Sequence, residues 1–427
     1  ERAMLNTHAE PPAAFPRPPA LAQPACRLCG SRLHRSLLDL GCIPLANRTV
    51  AAGDTGDRPY PLHARICDTC MLAQIEDVAP PETVIARTPY LSSRSVTCVD
   101  RARRFADTMR KRFRLDGDSL VIEIGSNDGY LLRHFQAAGI PVLGIEPAPN
   151  AAAAAADLGI PTEIGFFNTE TAMEIAVRHG RANLVVANNV LPHVPDLFDF
   201  AASFAGILRP NGVLSLQVPH LLSLVQGVQF DAFRHDSYTY LSLRVLERVL
   251  RSVGLRVFDA ERLPDHGGSL RVHACHAVGP HAIRPGLKTV RLAEGCAELD
   301  QRDFYAGFSD RVASAQADIR DFLRVRRAAG RLVAAYGAAT RGATLLNCCG
   351  ITAEEIACVA DPDPAKQGRL LPGSRVPIVP REALMDRPPH DLVILPWPNA
   401  AEIAAVLQPL RQRGTQLWTA LPRITRV

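Results

Sequence analysis

The chain lacks several features that would settle its class at once. No apolar run is long enough to span a bilayer, which excludes an integral membrane protein built on helices. Charge of one sign is not in excess. Lys plus Arg number 48 against 43 Asp plus Glu, a net +5 over 427 residues, too weak to argue for nucleic acid. The N-terminus has no charged-then-apolar leader, so the expected compartment is the cytoplasm. The 11 cysteines are an odd number in such a chain, so a disulfide framework is not expected. No internal repeat is visible. What is present is ordinary for a globular protein: 47% hydrophobic and 21% charged residues, at a length that suggests two or three domains. Residues 1–24, rich in Pro and Ala from 8 onward, read as a disordered tail.

Four cysteines stand apart. Cys26-Arg27-Leu28-Cys29 and Cys67-Asp68-Thr69-Cys70 are two CxxC pairs separated by 37 residues. Each tight turn brings two thiolates onto one face, and two turns complete a tetrahedral all-sulfur site for zinc. With every position filled by protein, such a site is structural. The other seven cysteines read as small buried apolar residues. Residues 25–85 therefore form a metal-stapled module, with strand-like runs such as His63–Ile66.

Beyond it, residues 95–114 carry Val99, Ala102, Phe105, Ala106 and Met109 at helical spacing. Buried-strand runs follow at 119–125, 141–146, 183–187 and 212–218, with helix signals between them. That alternation predicts a doubly wound α/β domain over 86–280. Residues 279–290 read as a crossing segment and 291–329 as long and helix-favouring. A second strand–helix alternation, through Arg331–Gly337, Ile356–Asp361 and Asp391–Leu395, predicts another Rossmann-like domain over 281–427.

The first strand of the central domain ends in Glu123-x-Gly125-x-Asn127-x-Gly129. A glycine at a strand-to-helix turn lets backbone approach a ligand, and the helix N-terminus carries partial positive charge. Glu146 ends the next strand, 23 residues after Glu123, where a carboxylate can accept both ribose hydroxyls. The spacing departs from the dinucleotide fingerprint, and Glu123 suits a ligand with a cationic amino-acid tail. These features favour S-adenosylmethionine over NAD.

Several further motifs occur in order: Pro89-Tyr90-Leu91-Ser92-Ser93, Glu123–Gly129, Asn188-Asn189-Val190-Leu191-Pro192-His193, His266-Gly267-Gly268-Ser269-Leu270-Arg271, Tyr336-Gly337-Ala338-Ala339 and Asp361–Gly368. With both CxxC pairs, this set resembles the zinc-containing, S-adenosylmethionine-dependent C-methyltransferases of deoxysugars, over nearly the whole chain from Cys26. The resemblance implies a TDP-linked 4-keto-2,6-dideoxyhexose as partner, methylated at C3 in antibiotic biosynthesis. Asn188 joins the cofactor residues on this basis. No nucleic acid and no membrane are expected as partners, and a monomer or weak dimer is expected.

One motif departs from the family. Where a Tyr-His-Glu-His run is usual after Phe-Asp, this chain has Arg234-His235-Asp236-Ser237, with Tyr240 downstream. The lost second histidine is the family's nominee for base. A subset of the family, as in the mithramycin sugar pathway, adds NADPH-dependent reduction of the 4-ketone, and ketoreduction is the alternative reading. Removing a proton α to a ketone needs a base near neutral pKa and a donor to the enolate oxygen. The candidates are His235 and His193 as base or donor, Tyr90 and Tyr240 as hydroxyl donors, and Asp236 as orienter of a histidine. Arg341, Lys366 and His266 are candidates for the nucleotide-sugar.

Overall fold

The computed structural model describes residues 24–54, 57–78 and 91–427. The tail expected over 1–24 falls almost wholly outside them, and so does Tyr90. The described residues form three sheets.

The first is a small antiparallel sheet of β1 (Arg35–Pro44), β2 (Pro59–Ile66) and β3 (Ala73–Ile75). Helix α1 (Val96–Phe113) follows, with Ala102, Phe105, Ala106 and Met109 buried as the spacing predicts. Ser95 caps it by accepting the Cys98 N–H.

The central sheet is built from β4 (Val121–Ile124), β5 (Val142–Glu146), β6 (Thr162–Ile164), β7 (Ala182–Asn188) and β8 (Leu208–Pro219). These run parallel in the order β8-β7-β4-β5-β6. Helices α2 (Leu132–Ala137), α3 (Pro149–Asp157), α4 (Thr169–His179) and α5 (Leu197–Ile207) alternate with them. Strand β4 is buried at all four residues, which is why its sequence reads as a continuous apolar run. After β8 come α6 (Leu221–Gln226), β9 (Thr239–Tyr240), α7 (Leu243–Ser252), β10 (Leu255–Leu263) and β11 (Ser269–His276). Here the structure differs from a purely parallel sheet. Strands β10 and β11 form an antiparallel hairpin that pairs with β8 and widens the sheet to seven strands.

Strand β9 leaves this domain in a second way. It pairs antiparallel with β3, so the fourth strand of the small sheet comes from residues 239–240. The thiols of the cysteine module share one apolar cluster with Leu191, Leu197, Phe200 and Leu241. Its strands share another with Phe230, Phe233 and Tyr240 and with the C-terminal sheet. Burial of this kind stabilises by about 25 cal/mol per Å² of apolar surface.

The segment read as a crossing gives way to α8 (Pro285–Cys296), whose proline sits at the first helical positions, where no N–H is missed. The long helix expected over 291–329 is two helices, because residues 297–307 break it before α9 (Phe308–Ala328). The C-terminal sheet then takes the order β14-β13-β12-β15-β16-β17. Its strands are β12 (Val333–Tyr336), β13 (Val359–Ala360), β14 (Ile378–Val379), β15 (Asp391–Ile394), β16 (Gln416–Thr419) and β17 (Thr425–Arg426), with α10 (Thr340–Cys348) following β12. All pairs but β16–β17 are parallel, and the strands crossing the middle are buried. Among the described residues, no helix is long and apolar enough to cross a membrane.

Candidate active site and metal centre

The four sulfurs of Cys26, Cys29, Cys67 and Cys70 converge within 4.8 Å of one another. Cys26 and Cys70 approach to 3.5 Å, as do Cys29 and Cys67. Zinc–sulfur bonds of about 2.3 Å arranged tetrahedrally would set the sulfurs about 3.8 Å apart. The set therefore fits zinc with all four positions supplied by protein. Gln74 donates to the Cys26 sulfur at 3.2 Å, and the Thr69 N–H donates to that of Cys67 at 3.4 Å. Such donors outside the ligand set hold the thiolates in place.

At the carboxyl end of β4, Gly125 has φ +67°, and an added Cβ would lie 2.6 Å from Val190. Only glycine permits both the turn and the close approach of the loop that follows β7. Gly129 closes the same turn against Ile160. Glu146, buried at the end of β5, accepts the Asn127 N–H and the Ala148 N–H, each at 2.8 Å. Burial raises its pKa, and the two amides work the other way. Asn127 sits at φ +51°, and its Oδ1 accepts the Ser92 N–H at 2.9 Å.

Three carboxylates thus crowd one crevice. Glu123 is 1% exposed, and burial first, then the charges of Glu146 and Asp128, push its pKa well above the usual range. Asp128, equally buried, accepts the Ser93 N–H at 3.1 Å. Among the described residues, no cationic side chain pairs with any of the three, and one oxygen each of Glu123, Asp128, Asn188 and Asn189 is buried without a hydrogen bond. Buried acceptors in this state are costly unless a ligand donates to them. Asp128 and Asn189 were not singled out from sequence. Their positions inside Glu123–Gly129 and beside Asn188 were the available signals.

The loop after β7 carries His193. Its Nδ1 donates to the Asp236 carbonyl, which leaves Nε2 as the basic nitrogen. Burial, its largest influence, lowers the His193 pKa from 6.5, partly opposed by the Asp236 carboxylate. Asp236 thus orients a histidine, but through its backbone and with His193 as the partner. Its carboxylate pairs with Arg234 at 2.9 Å.

His235 turns the other way. It is buried, and its Nε2 lies 3.2 Å from the carbonyls of both Tyr60 and Pro61 in β2. Burial lowers its pKa as well. The Ser237 hydroxyl is 3.3 Å from the Arg234 guanidinium and accepts from it. Tyr240 is buried in β9, and its hydroxyl accepts the Arg234 N–H at 3.0 Å. Burial raises its pKa.

The candidates for the nucleotide-sugar are already engaged. Arg341 grips the fully buried Asp231 at 2.7 and 2.8 Å, donates to the His266 carbonyl at 2.8 Å, and faces the Trp397 ring at 5.0 Å. Trp397 donates to Asp231 in turn at 2.9 Å. Arg341 therefore joins the C-terminal sheet to the segment before His235. Lys366 lies 3.1 Å from the Ala338 carbonyl and 3.4 Å from Asp361. His266 has φ +56° in an exposed loop whose backbone anchors Arg341.

Comparison with known proteins bears on all three parts. Residues 26–84 match the family model "Putative zinc binding domain", residues 98–260 a methyltransferase domain, and residues 264–422 a C-methyltransferase C-terminal domain. The C-methyltransferase NovU of Streptomyces niveus is 33% identical over 399 residues, covering 93% of this chain and 95% of NovU. The ubiquinone biosynthesis O-methyltransferase of a Methylobacterium species is 25% identical over 160 residues, covering 34% of this chain and 63% of its own length. Among solved structures, a methyltransferase from Clostridium acetobutylicum aligns over 42% of this chain and 92% of its own, at 9% identity and TM-score 0.35. A likeness that slight carries no argument. The match to NovU along nearly its whole length does: this chain belongs to the zinc-containing, S-adenosylmethionine-dependent C-methyltransferases.

Proposed function

We propose that the protein methylates C3 of a TDP-linked 4-keto-2,6-dideoxyhexose. The observation that carries this reading is His193. Its Nδ1 is fixed on the Asp236 carbonyl, its pKa is lowered, and its loop packs on the cofactor turn through Val190 and Gly125. A neutral imidazole with a defined basic nitrogen is what abstraction of an α-proton requires.

In this reading His193 Nε2 takes the C3 proton, and the electron pair of that bond moves toward the C4 oxygen as an enolate. Tyr90, a hydroxyl-donor candidate from the sequence, donates to that oxygen. His235 and Tyr240 support the loop: one is held on β2 and the other packed in β9. Ser237 accepts from Arg234, and among the described residues no base is seen hydrogen-bonded to its hydroxyl to activate it. Bound S-adenosylmethionine would supply the electrophilic methyl group that the C3 carbanion takes up. Glu123, Asp128 and Glu146 would hold the cofactor's amino-acid and ribose ends. Lys366, beside the Ala338 carbonyl, would take the nucleotide end, while Arg341 is spent on Asp231.

Mass analysis of product from TDP-4-keto-2,6-dideoxyhexose tests this directly. Gain of one methyl group with S-adenosylmethionine supports the proposal. Gain of two hydrogens with NADPH would replace it by ketoreduction, the second reading.

A further inference from the structure

The cysteine module and the reacting loops are joined by one side chain. Arg27 lies inside the first CxxC turn, between two metal ligands, and its side chain is 13% exposed. Its backbone N–H donates to Gln74 Oε1 at 3.0 Å, and Gln74 donates in turn to the Cys26 sulfur. The guanidinium leaves the module. It donates to the Pro195 carbonyl at 3.1 Å, two residues beyond His193, and to the Ile75 carbonyl at 3.2 Å. It also lies over the Tyr238 ring at 4.9 Å and contacts the Asp77 carboxylate.

Those contacts fall on two segments that meet at the candidate base. Tyr238 N donates to the Pro192 carbonyl at 2.7 Å, and Ile75 N donates to the Tyr238 carbonyl at 3.0 Å. His193 rests on the Asp236 carbonyl. The loop after β7 and the segment 234–240 are thus pinned together, and Arg27 grips both from the metal turn. A planar guanidinium with several fixed donors and a stacking face suits this; an ammonium could satisfy one contact at a time.

We propose that Arg27 is a positioning residue for methyl transfer, carrying the geometry of the metal centre to His193 through Pro195 and Tyr238. The inference rests on the reading of His193 as base, and its test separates the two. Small displacements of a reacting group cost much in rate, so Arg27→Ala is expected to lower kcat by about 10- to 100-fold. The metal content and the dissociation constant for S-adenosylmethionine should stay at wild-type values. Amide hydrogen exchange should quicken at Tyr238, whose N–H bond to Pro192 reports the junction without any chemistry. Arg27→Lys, which keeps the charge and one donor contact, should recover part of kcat and part of the protection.

Wild-type kcat in Arg27→Ala overturns the proposal. So does loss of zinc or of cofactor binding in step with kcat, in either variant, because Arg27 would then only maintain the fold. If His193→Asn proves fully active while Arg27→Ala still loosens Tyr238 and slows turnover, the reading of the base fails and the route through His193 with it, leaving Arg27 to act on the Tyr238 segment alone.

Discussion

The central and C-terminal sheets use the same local device with opposite electrostatics. In each, a parallel strand ends in a glycine turn and the neighbouring strand ends in a carboxylate that accepts a turn amide. Glu146 accepts Asn127 N–H at 2.8 Å, and Asp361 accepts Ala338 N–H at 2.7 Å. Gly125 makes room for Val190, and Gly337 at φ +91° makes room for Pro396. The C-terminal carboxylate is answered by Lys366 at 3.4 Å, and neighbouring Asp363 by Arg94 at 2.7 Å. The central crevice gathers Glu123, Asp128 and Glu146 with no cationic side chain paired to them among the described residues. On the proposed reading, the shared turn receives a ligand in each sheet and the balance of charge divides them, a cation to the central crevice and the nucleotide to the C-terminal one.

The largest effect expected lies outside both crevices. Cys67→Ala should release zinc and unfold the small sheet, since structural zinc contributes on the order of 10 kcal/mol to such modules. Metal analysis with circular dichroism checks this. Retention of zinc and fold would remove the metal centre from the account.

Next in size is His193→Asn, expected to cost about 10²- to 10⁴-fold in kcat, the usual worth of a general base. Cofactor affinity should not change. The pH profile has a definite sign. His193 acts when neutral, and burial lowers its pKa from 6.5, so the midpoint of the acid limb of wild-type activity should lie below pH 6.5. Exchange of the sugar C3 hydrogen without cofactor isolates the step. Exchange at the wild-type rate in His193→Asn would move the base elsewhere.

Smaller, but sharper for the comparison, is the paired test of the two carboxylates. Glu146→Ala should weaken S-adenosylmethionine by about 1–3 kcal/mol, the cost of leaving buried polar groups unpaired. Asp361→Ala should leave that affinity unchanged. Equal effects would mean that the two crevices do not divide the ligands as their charges suggest.

Much of this was legible in sequence, for physical reasons. Paired CxxC turns have few uses, and the apolar runs at 119–125 and 183–187 are long enough to mark buried strands. Glu123, Gly125 and Glu146 lie in register because turn and strand end are local features. The joints were hidden because they depend on distant partners. Nothing in Arg234–Ser237 shows that His235 docks on Tyr60 and Pro61 while His193 rests on Asp236. Nothing near Arg341 shows that its charge is spent on Asp231. The β10–β11 hairpin alternates only in part between buried and exposed residues, so its period is faint.

The central claim is that the first crevice selects a cationic cofactor because, among the described residues, no cationic side chain pairs with its carboxylates. Burial first, then the like charges of Glu146 and Asp128, raise the pKa of Glu123 well above the usual carboxylate range, so the free protein holds a proton there to higher pH than an ordinary glutamate does. A bound cation lowers that pKa again, so binding must release a proton there. Titration calorimetry of S-adenosylmethionine in buffers of different ionisation enthalpy measures that proton. The account predicts net proton release for the wild type, and neither release nor wild-type affinity for Glu123→Gln. Equal affinity and equal proton balance in the two proteins would contradict it.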